Sequence, residues 1–373
     1  MAYIETVIVT WNKKKYVLRL LEQLKNLNYP QDKIEIIVVD NNSSDGTAEA
    51  VELFYPHVRL IKNPENRGGA GGFNAGMLWV LKSRPDCEYL WLLDNDVLVH
   101  KNALQKLVEV MEKNPRAAIC GSKIMDIDRP HEMIEIGAFI DYRFGDVRQN
   151  VPPRQKLQYP DAVFEVDYVA ACSLLARTRF VKEMGIWHEK FFIYWDDMEW
   201  GARFKTAGYK VLASNASIAY HPSWGKRIAD NSAIWRNYYR IRNALWFYNN
   251  YSSGLKKRFL LACMILRYMR YSAGANIRAQ TALSRAYVKG VKDFFNNSYG
   301  KKNLYIPPDD LAVRMDFEKK KPIAAVEKMN FRELCRIPFV TLSFLFQVLL
   351  CLPEKDASDR RAGLQPGDPI CRN

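Results

Sequence analysis

Two carboxylates separated by a single amide, Asp94-Asn95-Asp96, stand directly after the apolar run Glu88–Leu93. That run has the length and content of a strand covered on both faces. Carboxylates at the edge of a sheet core are costly unless their charge is compensated. A hard divalent cation that keeps several waters and bridges to phosphate oxygens supplies such compensation. A helix N-cap or a salt bridge does so as well, and the triplet alone leaves both open. A second acidic cluster, Asp196-Asp197-Met198-Glu199, follows the aromatic stretch Phe191–Trp195. Its acids suit the first turn of a helix, where they complement the dipole. In an aromatic pocket one of them could equally have a raised pKa and accept a proton from a substrate. His221 follows the strand-like stretch Ala216–Tyr220, and a lone histidine there is structural or a ligand.

These groups need elements to hold them, and the first half of the chain supplies an alternation. Strand-like runs at Thr6–Thr10, Ile34–Asp40, Val58–Ile61 and Tyr89–Asp94 are separated by helical patterns at Tyr16–Leu27, Thr47–Phe54 and Phe73–Lys82. Such alternation predicts a mainly parallel sheet with helices on both faces. Ligands in open sheets of this kind lie beyond the carboxyl ends of the strands. The polar clusters fall at those ends: Thr10-Trp11-Asn12, then Asp40 and Asn41, then Asn66-Arg67-Gly68-Gly69, then Asp94-Asn95-Asp96. Asp40 is placed to accept hydrogen bonds from a base or ribose, while Ser44 or Asp45 caps the next helix. The four glycines between Gly68 and Gly72 form a flexible loop or admit a phosphate close to the backbone, with Arg67 as a planar donor. Neither G-x-x-x-x-G-K-[ST] nor a G-x-G-x-x-G after the first strand is present, which counts against P-loop and dinucleotide readings.

The ordered blocks at 10–12, 38–47, 66–74 and 94–96, then Phe192–Arg203, His221-Pro222-Ser223-Trp224 and Tyr239–Asn243, resemble a family 2 inverting glycosyltransferase. The likeness covers roughly residues 4–250 and is similar to bacterial rhamnosyltransferases and galactofuranosyltransferases. It implies a GT-A type nucleotide-sugar-binding α/β fold with a mostly parallel central sheet. It implies Asp197 as the catalytic base, with Asp196 and Glu199 orienting the base or the acceptor hydroxyl. Asp94, Asp96 and His221 would hold Mn2+ or Mg2+, with Asp94 shared between the metal and the ribose. Thr10, Trp11, Asn12, Asp40, Asn41, Arg67, Gly68, Gly69, Asn74 and Asn95 would line the site of a UDP- or dTDP-linked donor. Trp195, Glu199, Trp224 and Asp167 would face the acceptor, although Asp167 also fits a buried strand with one capped acid. The implied reaction moves a sugar, rhamnose or galactofuranose favoured, to a hydroxyl of a cell-surface polysaccharide or lipid-linked glycan.

The chain of 373 residues carries a formal charge of +14. Between Lys226 and Lys292 there are 14 Lys or Arg against the single acid Asp230, an excess of 13. Two regions follow: residues 1–225 as the glycosyltransferase domain, and 226–373 as a basic, mostly α-helical region. Phe259, Cys263 and Leu266 recur at helical spacing beside basic residues, which favours amphipathic helices over a nucleic-acid module. Ile337–Leu352 is short for a membrane span and suits an interfacial segment or a packed hairpin. The expectation is a cytoplasmic enzyme, peripheral on the inner face of the membrane, touching an anionic surface; a homo-oligomer contact is the other use of these helices. Seven scattered cysteines without a C-x-x-C pair predict reduced thiols. No signal peptide is expected at the start, where Ile4–Thr10 reads as a strand. The rival readings are a nucleotidyltransferase and a non-catalytic glycan- or membrane-binding protein on the same fold.

Overall fold

A computed structural model describes residues 1–222, 232–277 and 280–302. Their contacts divide them into two compact units, one of Met1–Asp141 with 147–222 and one of Tyr142–Asp146 with 232–302.

The first unit opens as β1 (Ile4–Thr10), α1 (Lys14–Leu24), β2 (Ile34–Asp40), α2 (Thr47–Phe54), β3 (Arg59–Lys62), α3 (Gly68–Ser83) and β4 (Tyr89–Asp94). The short β5 (Leu98–Val99), α4 (Ala103–Lys113), β6 (Ala117–Asp126), β7 (Met133–Glu135), β8 (Ala138–Asp141) and β9 (Asp146–Gln149) follow. It closes with α5 (Arg154–Leu157), β10 (Val163–Glu165), β11 (Ser173–Arg177), α6 (Thr178–Met184), α7 (Asp196–Thr206) and β12 (Lys210–His221). The main sheet runs β10-β12-β6-β11-β4-β1-β2-β3, with β5 on β12 and β7 on β6. β1 pairs in parallel with β2 and with β4, and β2 pairs in parallel with β3. The expected mostly parallel α/β sheet is therefore present. β11 was not anticipated as a strand between two others. It lies antiparallel to both β4 and β6, so that β6 and the parallel β12 point the same way as β4.

β1 and β4 are buried along nearly their whole length, as central strands covered by helices on both faces should be. One layer rests on Val17, Leu20, Leu21 and Leu24 of α1, at the predicted helical spacing. The other is centred on α3, which begins at Gly68 rather than near Phe73. The expected glycine loop is the first turns of this helix. A Cβ at Gly72 would lie 2.4 Å from Val9 Cγ1, and one at Gly76 would lie 2.3 Å from Val7 Cγ1. These glycines let the helix axis approach β1.

The second unit contains α8 (Ser232–Tyr251), α9 (Gly254–Ile277) and α10 (Thr281–Phe295), the mostly helical region expected from the sequence. Its interior is polar as well as apolar: fully buried Arg242 donates to the Gly300 carbonyl at 2.8 Å, and Tyr238 donates to Asp293 at 2.6 Å. Among the described residues Cys87, Cys120, Cys172 and Cys263 are free thiols. Ile337–Leu352 lies outside the described residues.

The closeness of α3 to β1 is testable. Gly76→Ala should destabilise the fold by about 1–3 kcal/mol through overpacking against Val7, read as a lower urea midpoint in equilibrium unfolding. An unchanged midpoint would mean that the helix backs away at no cost.

Candidate functional site

The carboxyl ends of β1, β2 and β4 form one rim because the strands are parallel and in register: Thr10 lies opposite Asp40, and Val9 opposite Asp94. Thr10 Oγ1 accepts from Asn95 Nδ2 at 3.0 Å, tying the acidic turn to β1. Asn12 takes a positive φ of 50° and accepts from the Ser44 amide at 2.7 Å, which closes the loop after β2 over the rim. Trp11 is half exposed there. Asp40 is buried; its Oδ2 accepts from the Ser43 amide at 2.9 Å, whereas its Oδ1 has no hydrogen-bond partner. A buried carboxylate oxygen left open at a strand end is costly by itself and is the feature expected of a group awaiting a ligand donor.

The histidine arrives from the other side of the sheet, and a bulge brings it. β12 pairs with β6 up to Ser214 opposite Ser122, then resumes with Ile218 opposite Lys123. The intervening Asn215, Ala216 and Ser217 are looped out. A buried serine network satisfies this irregularity: Ser122 Oγ lies 2.7 Å from Ser173 Oγ and 2.8 Å from Ser217 Oγ, and Ser217 donates to the Ala103 carbonyl at 2.9 Å. Beyond the bulge β12 pairs with β5 as well, Ala219 with Val99 and Tyr220 with Leu98. Because β5 directly follows the acidic turn, this pairing sets His221 beside Asp96.

Ligand atoms of Asp94, Asp96 and His221 lie within 4.8 Å of one another. His221 Nδ1 is 2.8 Å from the Pro222 carbonyl, so Nδ1 carries the proton and Nε2 faces Asp96 Oδ1 at 3.3 Å. Burial opposes the charged imidazole, but Asp96 and then Asp94 overcome it and raise the His221 pKa. Oxygen and imidazole donors with two negative charges suit Mn2+ or Mg2+, and the residues fit such an ion.

The second acidic cluster is presented by a strained turn. Phe192, Tyr194 and Trp195 have φ of 66°, 65° and 70°, left-handed values costing of order 1–3 kcal/mol each in non-glycine residues. The turn is held against α3: Ala70 donates to the Phe192 carbonyl at 3.2 Å, and a Cβ at Gly68 would fall 2.0 Å from that oxygen. α7 starts immediately after, with Asp196 buried and Asp197 partly so. Asp197 accepts from the amides of Met198 at 2.8 Å and Ala171 at 3.4 Å. Burial nevertheless raises its pKa to about 6. Burial and then the Asp197 charge push Asp196 well up. Asp196 points toward the start of α3, since a Cβ at Gly69 would lie 3.6 Å from its Oδ2.

Several residues expected to touch substrate are engaged by the protein. Arg67 forms a two-point ion pair with Glu189 at 2.7 and 2.8 Å. Asn74 clamps both backbone polar groups of Trp187, and Asn41 bridges the Gly68 carbonyl and Asn63. Glu199 is fully buried between Arg203, at 2.8 Å, and His188, at 3.4 Å. Asp167 accepts from the Ile140 amide at 2.7 Å and pairs with Lys205 at 2.5 Å. Trp195 is buried rather than an open platform. Trp224 lies outside the described residues.

Glu135 escaped the sequence reading. It is buried at the end of β7, accepts from Tyr168 Oη at 3.1 Å, and leaves Oε1 without a partner. Burial, then the charge of Asp197, raises its pKa to about 7. An acid in the apolar stretch Met133–Ile136 was the available signal. Burial, then the charges of Asp94, Glu135, Asp96 and Asp197, push the pKa of the buried Cys172 thiol far up.

Residues 6–180 match the family model for glycosyl transferase family 2. Among curated proteins, galactofuranosyltransferase GlfT2 of Mycolicibacterium smegmatis is 21% identical over 263 residues, 64% of this chain but only 39% of that protein's length. An N-acetylglucosaminyl-diphospho-decaprenol L-rhamnosyltransferase of Mycobacterium tuberculosis is 24% identical over 231 residues, 58% of this chain and 75% of that protein. Among solved structures, GalNAc-T7 with UDP, GalNAc and Mn2+ superposes with a TM-score of 0.56 at 16% identity, over 79% of this chain and 56% of that chain. Staphylococcus aureus TarS gives 0.51 at 16% identity, over 79% and 49%. At these identities the structures establish the GT-A fold, and the matched domain supports a glycosyltransferase.

The metal geometry makes two predictions. Asp96→Ala should abolish saturable Mn2+ binding in titration calorimetry. Ser217→Ala, which touches no ligand, should weaken it by about tenfold, the lower range for lost support around a metal ligand; unchanged affinity would dissociate the bulge from the site.

Proposed function

We propose that this chain, with its family 2 glycosyltransferase domain at 6–180, is a metal-dependent inverting glycosyltransferase. It takes rhamnose or galactofuranose from a UDP- or dTDP-linked donor to a hydroxyl of a cell-surface polysaccharide or lipid-linked glycan. The observation that carries this reading is the gathering of Asp94, Asp96 and His221 ligand atoms within 4.8 Å of one another at the carboxyl ends of the strands. Asp197, with its pKa raised by burial to about 6, supplies the separate acid that the reaction needs.

The chemistry follows from the placement. Asp40 Oδ1 receives a hydrogen bond from the base, and the rim from Thr10 to Asn12 holds the nucleoside. Asp94, Asp96 and His221 would hold the divalent ion, which would neutralise the charge of the diphosphate. Asp197 removes the proton of the acceptor hydroxyl as that oxygen bonds to the anomeric carbon. The carbon–phosphate oxygen bond breaks in the same displacement, and its electron pair leaves with the nucleoside diphosphate. Asp196, whose pKa burial and the neighbouring Asp197 charge push up, orients the base or the acceptor hydroxyl. The catalytic region is 1–225, with 226–373 as a separate region. A lipid-linked acceptor of the kind in the name of the Mycobacterium tuberculosis relative supports peripheral attachment to the inner membrane face. No described helix is long and apolar enough to cross a membrane.

Asp197→Asn should lower turnover by about 10²–10⁴-fold, the range for a lost general base, with donor affinity unchanged. Ionising a carboxyl whose folded pKa is raised costs stability above that pKa, so the variant should melt no lower than the parent at pH 8. A larger loss from Asp196→Asn would reverse the assignment of the pair.

The base must be ionised to work. Transfer rate measured as kcat/KM should fall about tenfold per pH unit below the Asp197 pKa of about 6. Asp197→Asn should lose that limb, and its persistence would place the titration elsewhere.

A further inference from the structure

Helix α9 carries two apolar faces, and among the described residues only one is covered. Leu260, Leu261, Met264 and Ile265 are buried within the second unit. At 100° per residue, Leu255, Phe259, Cys263, Leu266, Arg270 and Ile277 fall within an arc of about 80° on the opposite side. Leu255 is 84% exposed, Phe259 62% and Ile277 64%. The stripe runs the length of a helix of about 36 Å. Phe259 and Cys263, at the helical spacing read from the sequence, are both exposed, and the packed face lies across the helix.

The charge around this stripe is of one sign. α9 has five basic residues and no acid, and Lys256, Arg258 and Arg270 are exposed beside the apolar positions. A second copy offering the same face would meet like charge. An anionic bilayer offers opposite charge at its surface and hydrocarbon just beneath. Insertion by the depth of a phenylalanine side chain would bury the stripe while leaving the cations at the headgroups. We propose that the exposed face of α9 is a docking surface for an anionic lipid bilayer, lying in the plane of the interface. This rests on the membrane-linked acceptor only for its biological sense; the contact is a property of the helix and holds whatever the reaction.

The test uses the full chain and vesicles of phosphatidylcholine, alone or with one third phosphatidylglycerol. The chain should cosediment with the anionic vesicles, weakly or not at all with the neutral ones, and partly detach in high salt. Phe259→Gln with Ile277→Gln, and separately Lys256→Glu with Arg270→Glu, should each lower the partition coefficient at least tenfold. Both should leave Mn2+ affinity unchanged. Alkylation of Cys263, read by peptide mass mapping, should be fast in free protein and slowed by anionic vesicles. Slow alkylation without vesicles would show that another part of the chain or a second copy covers the stripe. That result, or vesicle binding undiminished in both double variants, would overturn the proposal. Absence of sugar transfer with vesicle binding intact would instead remove the enzymatic reading and leave this one standing.

Discussion

Two carboxylates and an imidazole crowded within 4.8 Å of one another are the constraint on which the first unit depends. Such a cluster is repulsive until a proton or a cation enters it, and the scaffold must hold it together meanwhile. Backbone pairing does the holding. β4 is fixed between β1 and β11, β5 extends the acidic turn onto β12, and the bulge re-aims the last turn of β12 toward it. The serine network beneath the bulge is neutral and saturated, so it stabilises the irregular backbone without adding charge to a crowded site. His221, with its Nδ1 on the Pro222 carbonyl side, turns Nε2 toward Asp96.

The opposite wall obeys a different constraint, close approach. α3 lies against β1 because its glycines remove the side chains that would separate them, and Gly68 receives the Phe192 carbonyl. The left-handed turn at 192–195 is thereby locked, and α7 begins where its two acids meet the site. Arg67–Glu189 and Asn74–Trp187 tie the same two segments together. Strain at the turn is offset by this set of contacts, and the benefit is a carboxylate with a raised pKa in a defined place. Glu199 contributes from beneath: its pairing with Arg203 and His188 anchors the first turns of α7.

The second unit spends its charge differently. Arg242 and Asp293 are internal, and their partners satisfy them within the helices. The basic residues that face outward on α9 have no acids on their own helix to balance them. A sequence count alone cannot separate these two uses, because both appear as basic residues among aromatic ones.

Strand ends, helix periodicity and the order of the polar clusters were legible in the sequence because they are local. The alternation through residue 94, the buried face of α1, and the candidate metal residues Asp94, Asp96 and His221 needed only neighbours in the chain and a resemblance in block order. The partners of Arg67, Asn74, Glu199 and Asp167 were not legible. A polar side chain looks the same in sequence whether it faces a ligand or a carbonyl 113 positions away, as Asn74 faces Trp187. Glu135 was hidden for the complementary reason, since its importance comes from burial beside Asp197 rather than from its own segment. The glycines from Gly68 to Gly72 were read as a flexible loop or a place for ligand approach, and a Cβ at Gly72 would meet Val9. Residue types and spacing thus determined which chemistry could be assembled. Tertiary packing decided which of those groups face the common volume, because burial and long-range hydrogen bonds exist only once the strands have paired.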